Sequence, residues 1–187
     1  VLREALAPAG DSALLGGVLA QDNLVERGAG LIDAFSRGIV MRKLLPVAPP
    51  GKSFATTERG GQIFMDPAGY RRYDAYATAI AELDTDLLAD NFHRFRPLLE
   101  EAYAALGYPP GEMDNALIRA LDRVLATPEI SDPIAVEKVE AVYKYVDPSL
   151  EKLPAVQKQL LRMGPDNVAK IKTQAAALRR ALLRGGG

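Results

Sequence analysis

Asp86, Asp90 and His93 stand four and three residues apart, a spacing that lays three side chains on one face of a helix. Three such groups can touch one metal ion. His93 is the only histidine, there is no cysteine, and no second ligand cluster supports the first. The trio therefore reads as a solvated acidic face with a histidine at its edge, and no metal or cofactor is expected. His93 with a serine and an aspartate is also the raw material of a hydrolytic triad, but no G-x-S-x-G elbow is present. Glu100-Glu101 and Glu137/Glu140 are carboxylate pairs. Acid–base chemistry needs one member buried and shifted, whereas charged pairs on helices are usually solvated. "PGKS" at 50–53 resembles the end of a phosphate loop, but the required earlier glycine is Pro46 and no helix opens after it.

Two further clusters could recognise a partner. Tyr70, Tyr73 and Tyr76 recur at helical spacing, a row that reads first as core. "RMGPDN", residues 162–167, reads first as a corner between two helices. Gly164 suits a left-handed C′ position, Pro165 the first turn of the next helix, and Asp166 its positive end. As a binding face, Tyr73, Tyr76, Arg162, Asp166 and Asn167 form the candidate partner surface.

These residues need helices to position them. Residues 11–20 predict a short helix capped by Asp11 or Ser12. Asn23 and Glu26 suggest a capping box, followed by one face through Val25, Gly28, Ile32, Phe35 and Ile39 and a stop at Pro46. Residues 67–83 place Tyr70, Tyr73, Tyr76, Ile80 and Leu83 along one side. Leu88, Phe92, Phe95, Leu99, Ala102 and Leu106 continue the pattern over 85–106, with a kink or break expected at Pro97 and a C-cap at Gly107. Met113, Leu117, Leu121 and Val124 face inward over 111–126. Val156, Leu160 and Met163, then Val168, Ile171, Ala175, Leu178 and Leu182, define two C-terminal helices. Residues 46–66 lack helical period, and "KSFAT" and "QIFM" around Gly60-Gly61 suggest a small hairpin. Residues 132–147 mix periods, with a short strand near Val142–Val146 that could pair with the 52–65 region.

The expected fold is mainly α, a single-domain multi-helix bundle over 1–187 with roughly six to eight helices around one aliphatic core. Residues 1–21 form a peripheral N-terminal segment and 46–66 an irregular or hairpin insertion. A length of 187 residues, 48% hydrophobic and 25% charged, suits such a core. The absence of cysteine excludes disulfides and thiolate chemistry. No apolar run approaches the ~20 residues of a membrane span. The sequence opens at Val1 rather than Met, so a preceding segment, such as an anchor, stays open.

Net charge is -1 but unevenly distributed. Residues 1–81 carry 9 basic and 8 acidic groups, residues 82–147 carry 6 and 14, and residues 148–187 carry 8 and 2. The basic end is spread along helices rather than clustered, so internal charge matching is expected and nucleic acid is not.

"YRRYDAYATAIAELD", "PLLEEAYAALGYPPGEMDNALIRALDRVLATP" and "YKYVDPSLEKLPAVQKQLLRMGPDN" together resemble a bacterial family of uncharacterised proteins, domain of unknown function 3014. The resemblance runs from about Asp22 to Leu183, and its last two phrases are the most specific. It implies an envelope setting: an N-terminal membrane anchor, a Pro-rich linker and this domain outside the cytoplasmic membrane. The present sequence shows neither anchor nor linker, and the family brings no catalytic residue to carry over. The functional expectation is a non-catalytic interaction domain of the bacterial cell envelope, with a protein as partner. The alternative is a hydrolase-type enzyme using Glu100 and Glu101, or His93.

Overall fold

The computed structural model describes residues 1–44 and 54–185. The expectations placed on "PGKS" and Pro46 lie outside the described residues. Within them are ten α-helices: α1 (Leu2–Leu6), α2 (Ala13–Leu19), α3 (Leu24–Ser36), α4 (Asp74–Ala81), α5 (Thr85–Arg94), α6 (Arg96–Ala105), α7 (Met113–Leu125), α8 (Pro148–Glu151), α9 (Ala155–Leu161) and α10 (Pro165–Arg184). None is long and apolar enough to cross a membrane.

Local chemistry sets the helix ends. The Ser12 hydroxyl caps α2 by accepting from the Leu15 amide at 3.1 Å. The Asp84 carboxylate does the same for α5 through Leu87 at 2.9 Å. Asn23 occupies the N-cap of α3, but at φ 55 and with no side-chain bond to the helix, so the expected capping box does not form. α3 also stops earlier than its apolar pattern suggested. Ile39 N–H reaches back to Ala34 C=O (2.8 Å) and Gly38 N–H to Phe35 C=O (2.9 Å), with Gly38 at φ 76. That is a Schellman ending with glycine at C′. Ile39 lies beyond it and is 42% exposed. The buried stripe of α3 is Ala29, Gly30, Asp33, Ala34 and Ser36, small residues that let α6 and α7 pack closely against it.

Pro97 breaks the helical run as expected: α5 ends at Arg94, Phe95 joins, and Pro97 sits in the first turn of α6. The tyrosine row divides. Residues Pro67–Tyr73 wind as 3-10 turns and only then does α4 begin. Tyr70 packs with the sheet, whereas Tyr73 and Ile80 pack with α9 and α10.

The β structure exceeds the single hairpin expected. β1 (Thr56–Arg59) and β2 (Gln62–Met65) turn at Gly60-Gly61, both at positive φ. β3 (Ala135–Val139) and β4 (Val142–Tyr145) form a second hairpin, and the sheet order is β1-β2-β3-β4, all antiparallel. The expected strand near Val142–Val146 exists, but it pairs with β3. The contact with the first hairpin is made by β3, through Ile63–Val136 and Phe64–Ala135. Each hairpin leads into an Asp-Pro helix start: Asp66 accepts from the Ala68 amide and Asp147 from the Ser149 amide. The same hairpin–Asp-Pro–helix unit is therefore used twice.

Apolar burial gathers in four clusters rather than one core. Met65, Ile134, Val136, Tyr145, Leu150 and Leu161 lie between the sheet and the helices α8 and α9. Ala77, Val156, Leu160, Met163, Val168 and Ile171 join α4, α9 and α10. Ala29, Tyr103, Met113 and Ala116 join α3, α6 and α7, and Ala89, Ala181 and Leu182 join α5 to α10. The N-terminal segment is tied to α5: Asp84 N–H donates to Ala9 C=O (2.8 Å), and the Asn91 amide donates to Ala5 C=O (3.2 Å).

The basic C-terminal helix lies against the acidic middle of the sequence. Lys172 pairs with Glu129 (2.7 Å), Arg179 with Asp122 (2.7 Å) and Arg184 with Asp86 (2.6 Å). Such mostly exposed pairs add little stability each, but they set three bases of the C-terminal helix against three acids of the middle segment. At the α9–α10 corner Gly164 has φ 87 and ψ 159. Positive φ was expected, but ψ 159 places the residue in a region open essentially to glycine alone rather than in the left-handed helical one. Gly164 also serves as N-cap of α10, its carbonyl accepting from Val168 at 3.0 Å.

Candidate functional site

A cleft of about 490 Å³ opens where the end of α3 meets α6, α7 and the link between them. Its residues arrive there for local reasons. Asp33 and Arg37 stand one turn apart on α3, and the guanidinium donates to both carboxylate oxygens, Nε at 3.2 Å and Nη2 at 2.5 Å. The Asp33 side chain is only 8% exposed, that of Arg37 49%. The hydrogen bond to Asp33, then its charge, hold the Arg37 pKa above the ordinary arginine value.

The Schellman ending leaves carbonyls in the last turn of α3 without helical partners. Arg123 of α7 takes one of them, its Nε donating to Ser36 C=O at 2.5 Å. A cation at this negative helix end is favourably placed. Gly107, at φ 95 past the end of α6, turns the backbone so that Tyr108 lies over Tyr103. Their rings stack with centroids 5.0 Å apart and planes at 25°. Tyr103 is 2% exposed, and burial, then the Asp33 charge, push its phenol pKa up. Pro109-Pro110 open the 3-10 turn that delivers Glu112 to the start of α7. Glu112 accepts from Asn115 and Arg119, each at 3.3 Å.

The cleft thus presents three guanidiniums, two carboxylates and a stacked tyrosine pair. Both carboxylates are engaged by arginine, and no histidine lines it.

The residues singled out in the sequence lie elsewhere. His93 turns from its acidic neighbours to the end of α10, with Nε2 at 3.1 Å from Leu182 C=O. Asp86 pairs with Arg184, Asp90 is exposed, and among the described residues no group of three His, Asp or Glu could hold a metal. Glu100 and Glu101 lie on α6 outside the cleft, half-buried and exposed respectively. Glu137 faces Lys144 across β3–β4, and Glu140 forms the turn at φ 56.

The candidate partner surface divides as well. The Tyr73 hydroxyl accepts from Gln159 (3.3 Å), and Arg72 stacks over the Tyr73 ring. Tyr76 is half-buried and Asp166 exposed. Arg162 donates to Tyr143 C=O (3.1 Å) and lies over the Phe54 and Tyr145 rings. Asn167 is 3% exposed, and its amide is spent inside the fold, on Asp74 Oδ1 (2.8 Å), Met163 C=O (2.9 Å) and Tyr70 C=O (3.3 Å).

Sequence reasoning missed the cleft. "GYPPGE" read only as a helix stop, yet it brings Tyr108 and Glu112 to the site. The paired spacings Asp33/Arg37 and Arg119/Arg123 were the other available signals.

Taken together, the molecule is a mainly helical protein with a small antiparallel sheet and a basic, aromatic cleft. The protein belongs to the family described as "Protein of unknown function (DUF3014)", whose model matches residues 24–179. No curated protein and no solved structure matches it. The match runs from the start of α3 into α10 and includes every lining residue of the cleft, whereas α1 and α2 precede it.

Proposed function

We propose that this protein is a non-catalytic interaction domain of the bacterial cell envelope, and that it engages a protein partner through the Tyr108–Arg123 cleft. One observation carries the reading: the cleft gathers three arginines over a stacked tyrosine pair while both of its acids are already ion-paired. Tyrosine and arginine are the residues that contribute most at protein interfaces, combining large rigid area with directional donors. A hydrolytic reading would need Glu100, Glu101 or His93 to converge on a cleft, and none of the three lines this one. The envelope setting rests on what the family resemblance implies.

The test is cross-linking and capture from bacterial envelope extract with the intact protein. Tyr108→Ala and a control, Glu101→Ala, are compared at equal folded fraction. A defined protein species retained by the control and lost from Tyr108→Ala is the expected result. Identical captured sets for both variants would remove the cleft from the interaction.

A further inference from the structure

We infer that the cleft recognises a carboxylate carried on a peptide next to an aromatic or apolar group. This deepens the interaction reading above and rests on it. Arg123 is the reason. It is the one cleft arginine with no carboxylate partner among the described residues, and only its Nε is committed, to Ser36 C=O at 2.5 Å. Neither Nη hydrogen-bonds to a described residue. Its Cδ lies beside the Gly38 turn, and the Nε bond to Ser36 C=O positions the guanidinium before any ligand arrives. A pre-positioned fork with free N–H groups matches the two oxygens of a carboxylate.

Charge selects among anions. Three arginines against Asp33 and Glu112 leave the cleft one positive charge. A monoanionic carboxylate neutralises it, whereas a phosphate dianion would overshoot beside two resident carboxylates. The Tyr108 ring, backed by buried Tyr103, supplies a flat apolar wall for the neighbouring side chain. The carboxylate can be an acidic side chain or a free peptide C-terminus, because the fork reads both alike.

Fluorescence anisotropy with dye-labelled hexapeptides decides the matter. Each peptide carries phenylalanine beside a variable position. One arm has glutamate and an amidated end, a second glutamine and a free end, and a third glutamine and an amidated end. At least one carboxylate arm should bind below about 1 mM, and the third should be weaker by about tenfold or more. Which arm binds identifies the source. Arg123→Gln should lower binding by about tenfold. Tyr108→Ala gives the second reading if Arg123→Gln does not fold. Acetate should compete at lower concentration than inorganic phosphate.

Equal binding of the third peptide, binding unchanged in a folded Arg123→Gln protein, stronger competition by phosphate, or no binding of any arm would each overturn the carboxylate assignment. If no arm binds while envelope capture still depends on Tyr108, the ligand class falls and the interaction reading stands. If capture is independent of Tyr108, the interaction reading falls first.

Discussion

Gly164 and Tyr70 are in direct contact: a methyl group added to Gly164 would land on the Tyr70 ring and only 2.8 Å from its Cβ. Gly164 is also at φ 87, where side chains are strained whatever the space. The α9–α10 corner can pack on the 3-10 segment only because residue 164 has no side chain. Gly164→Ala should lower stability by on the order of 3 kcal/mol, adding backbone strain to overpacking. Gly164→Val should cost more. Combining Gly164→Ala with Tyr70→Ala should recover the overpacking made by the ring but neither the close approach to Cβ nor the backbone strain, giving a non-additive cycle. Denaturant midpoints measure this, and an unchanged midpoint for Gly164→Ala would show that Tyr70 does not seat on the corner.

Asn167 fixes the same corner from beneath. Its Nδ2 group faces three acceptor oxygens, those of Tyr70, Asp74 and Met163. Asn167→Ala leaves the buried Met163 carbonyl and two part-buried acceptors without this donor and should cost about 1–3 kcal/mol. Asn167→Asp should be at least as damaging, because a carboxylate then meets Asp74 and two carbonyls with no proton to share. Thermal melts of the two variants at neutral pH give the order, and an aspartate variant as stable as wild type would refute this role for the amide.

The helices were legible because their signals are local. Ser12, Asp84, Pro97 and Gly107 act on neighbours within a turn, and each does what its chemistry suggests. The second hairpin was not, because its turn is Glu140-Ala141 rather than a glycine pair and Glu140 takes φ 56 without being a turn-forming residue. The duplicated hairpin unit stayed hidden for the same reason: the two copies share strand register and the Asp-Pro start but few residue identities. The cleft was beyond reach because it depends on separation. Arg123 finds the Ser36 carbonyl across 87 positions of sequence, and no local pattern encodes that pairing.

Tyr145 should give the fold an alkaline limit. Its phenol is 3% exposed and donates to Lys158 C=O at 2.8 Å. Burial, partly offset by the charge and hydrogen bond of Arg162, pushes its pKa up to about 12. The folded state therefore holds this proton more tightly than the unfolded polypeptide, where the value is 10.0. The resulting stability is fully present below pH 10 and is lost as pH rises from there through about 12, a total on the order of 2–3 kcal/mol. Ultraviolet titration should show one tyrosine ionising well after most of the seven. Tyr145→Phe should remove that late step and flatten the stability profile over the same range. A titration in which Tyr145→Phe leaves the late step in place would assign it to another phenol.

The free edge of the sheet at β4 is closed by side chains. Tyr145 N–H donates to Glu151 Oε2 (2.9 Å), and Tyr143 C=O accepts from Arg162 Nη2 (3.1 Å). These backbone groups point away from β3 and would otherwise offer a template for another strand. Partial burial pushes the Glu151 pKa up, but hydrogen bonds from Lys158 and the Tyr145 amide, with the charges of Lys158 and Lys144, outweigh it, so the folded value lies below the ordinary 4.5. The stability this gives is present above the unfolded value and is lost as pH falls through the folded one. Glu151→Gln should therefore flatten the acid side of the stability profile while still accepting from Tyr145. Glu151→Ala combined with Arg162→Ala uncovers both groups, and the protein should then self-associate through β4 at concentrations where the parent does not. Sedimentation velocity across a concentration series reads this directly. A double variant that stays folded with the same sedimentation behaviour as the parent would mean that these two side chains do not guard the edge.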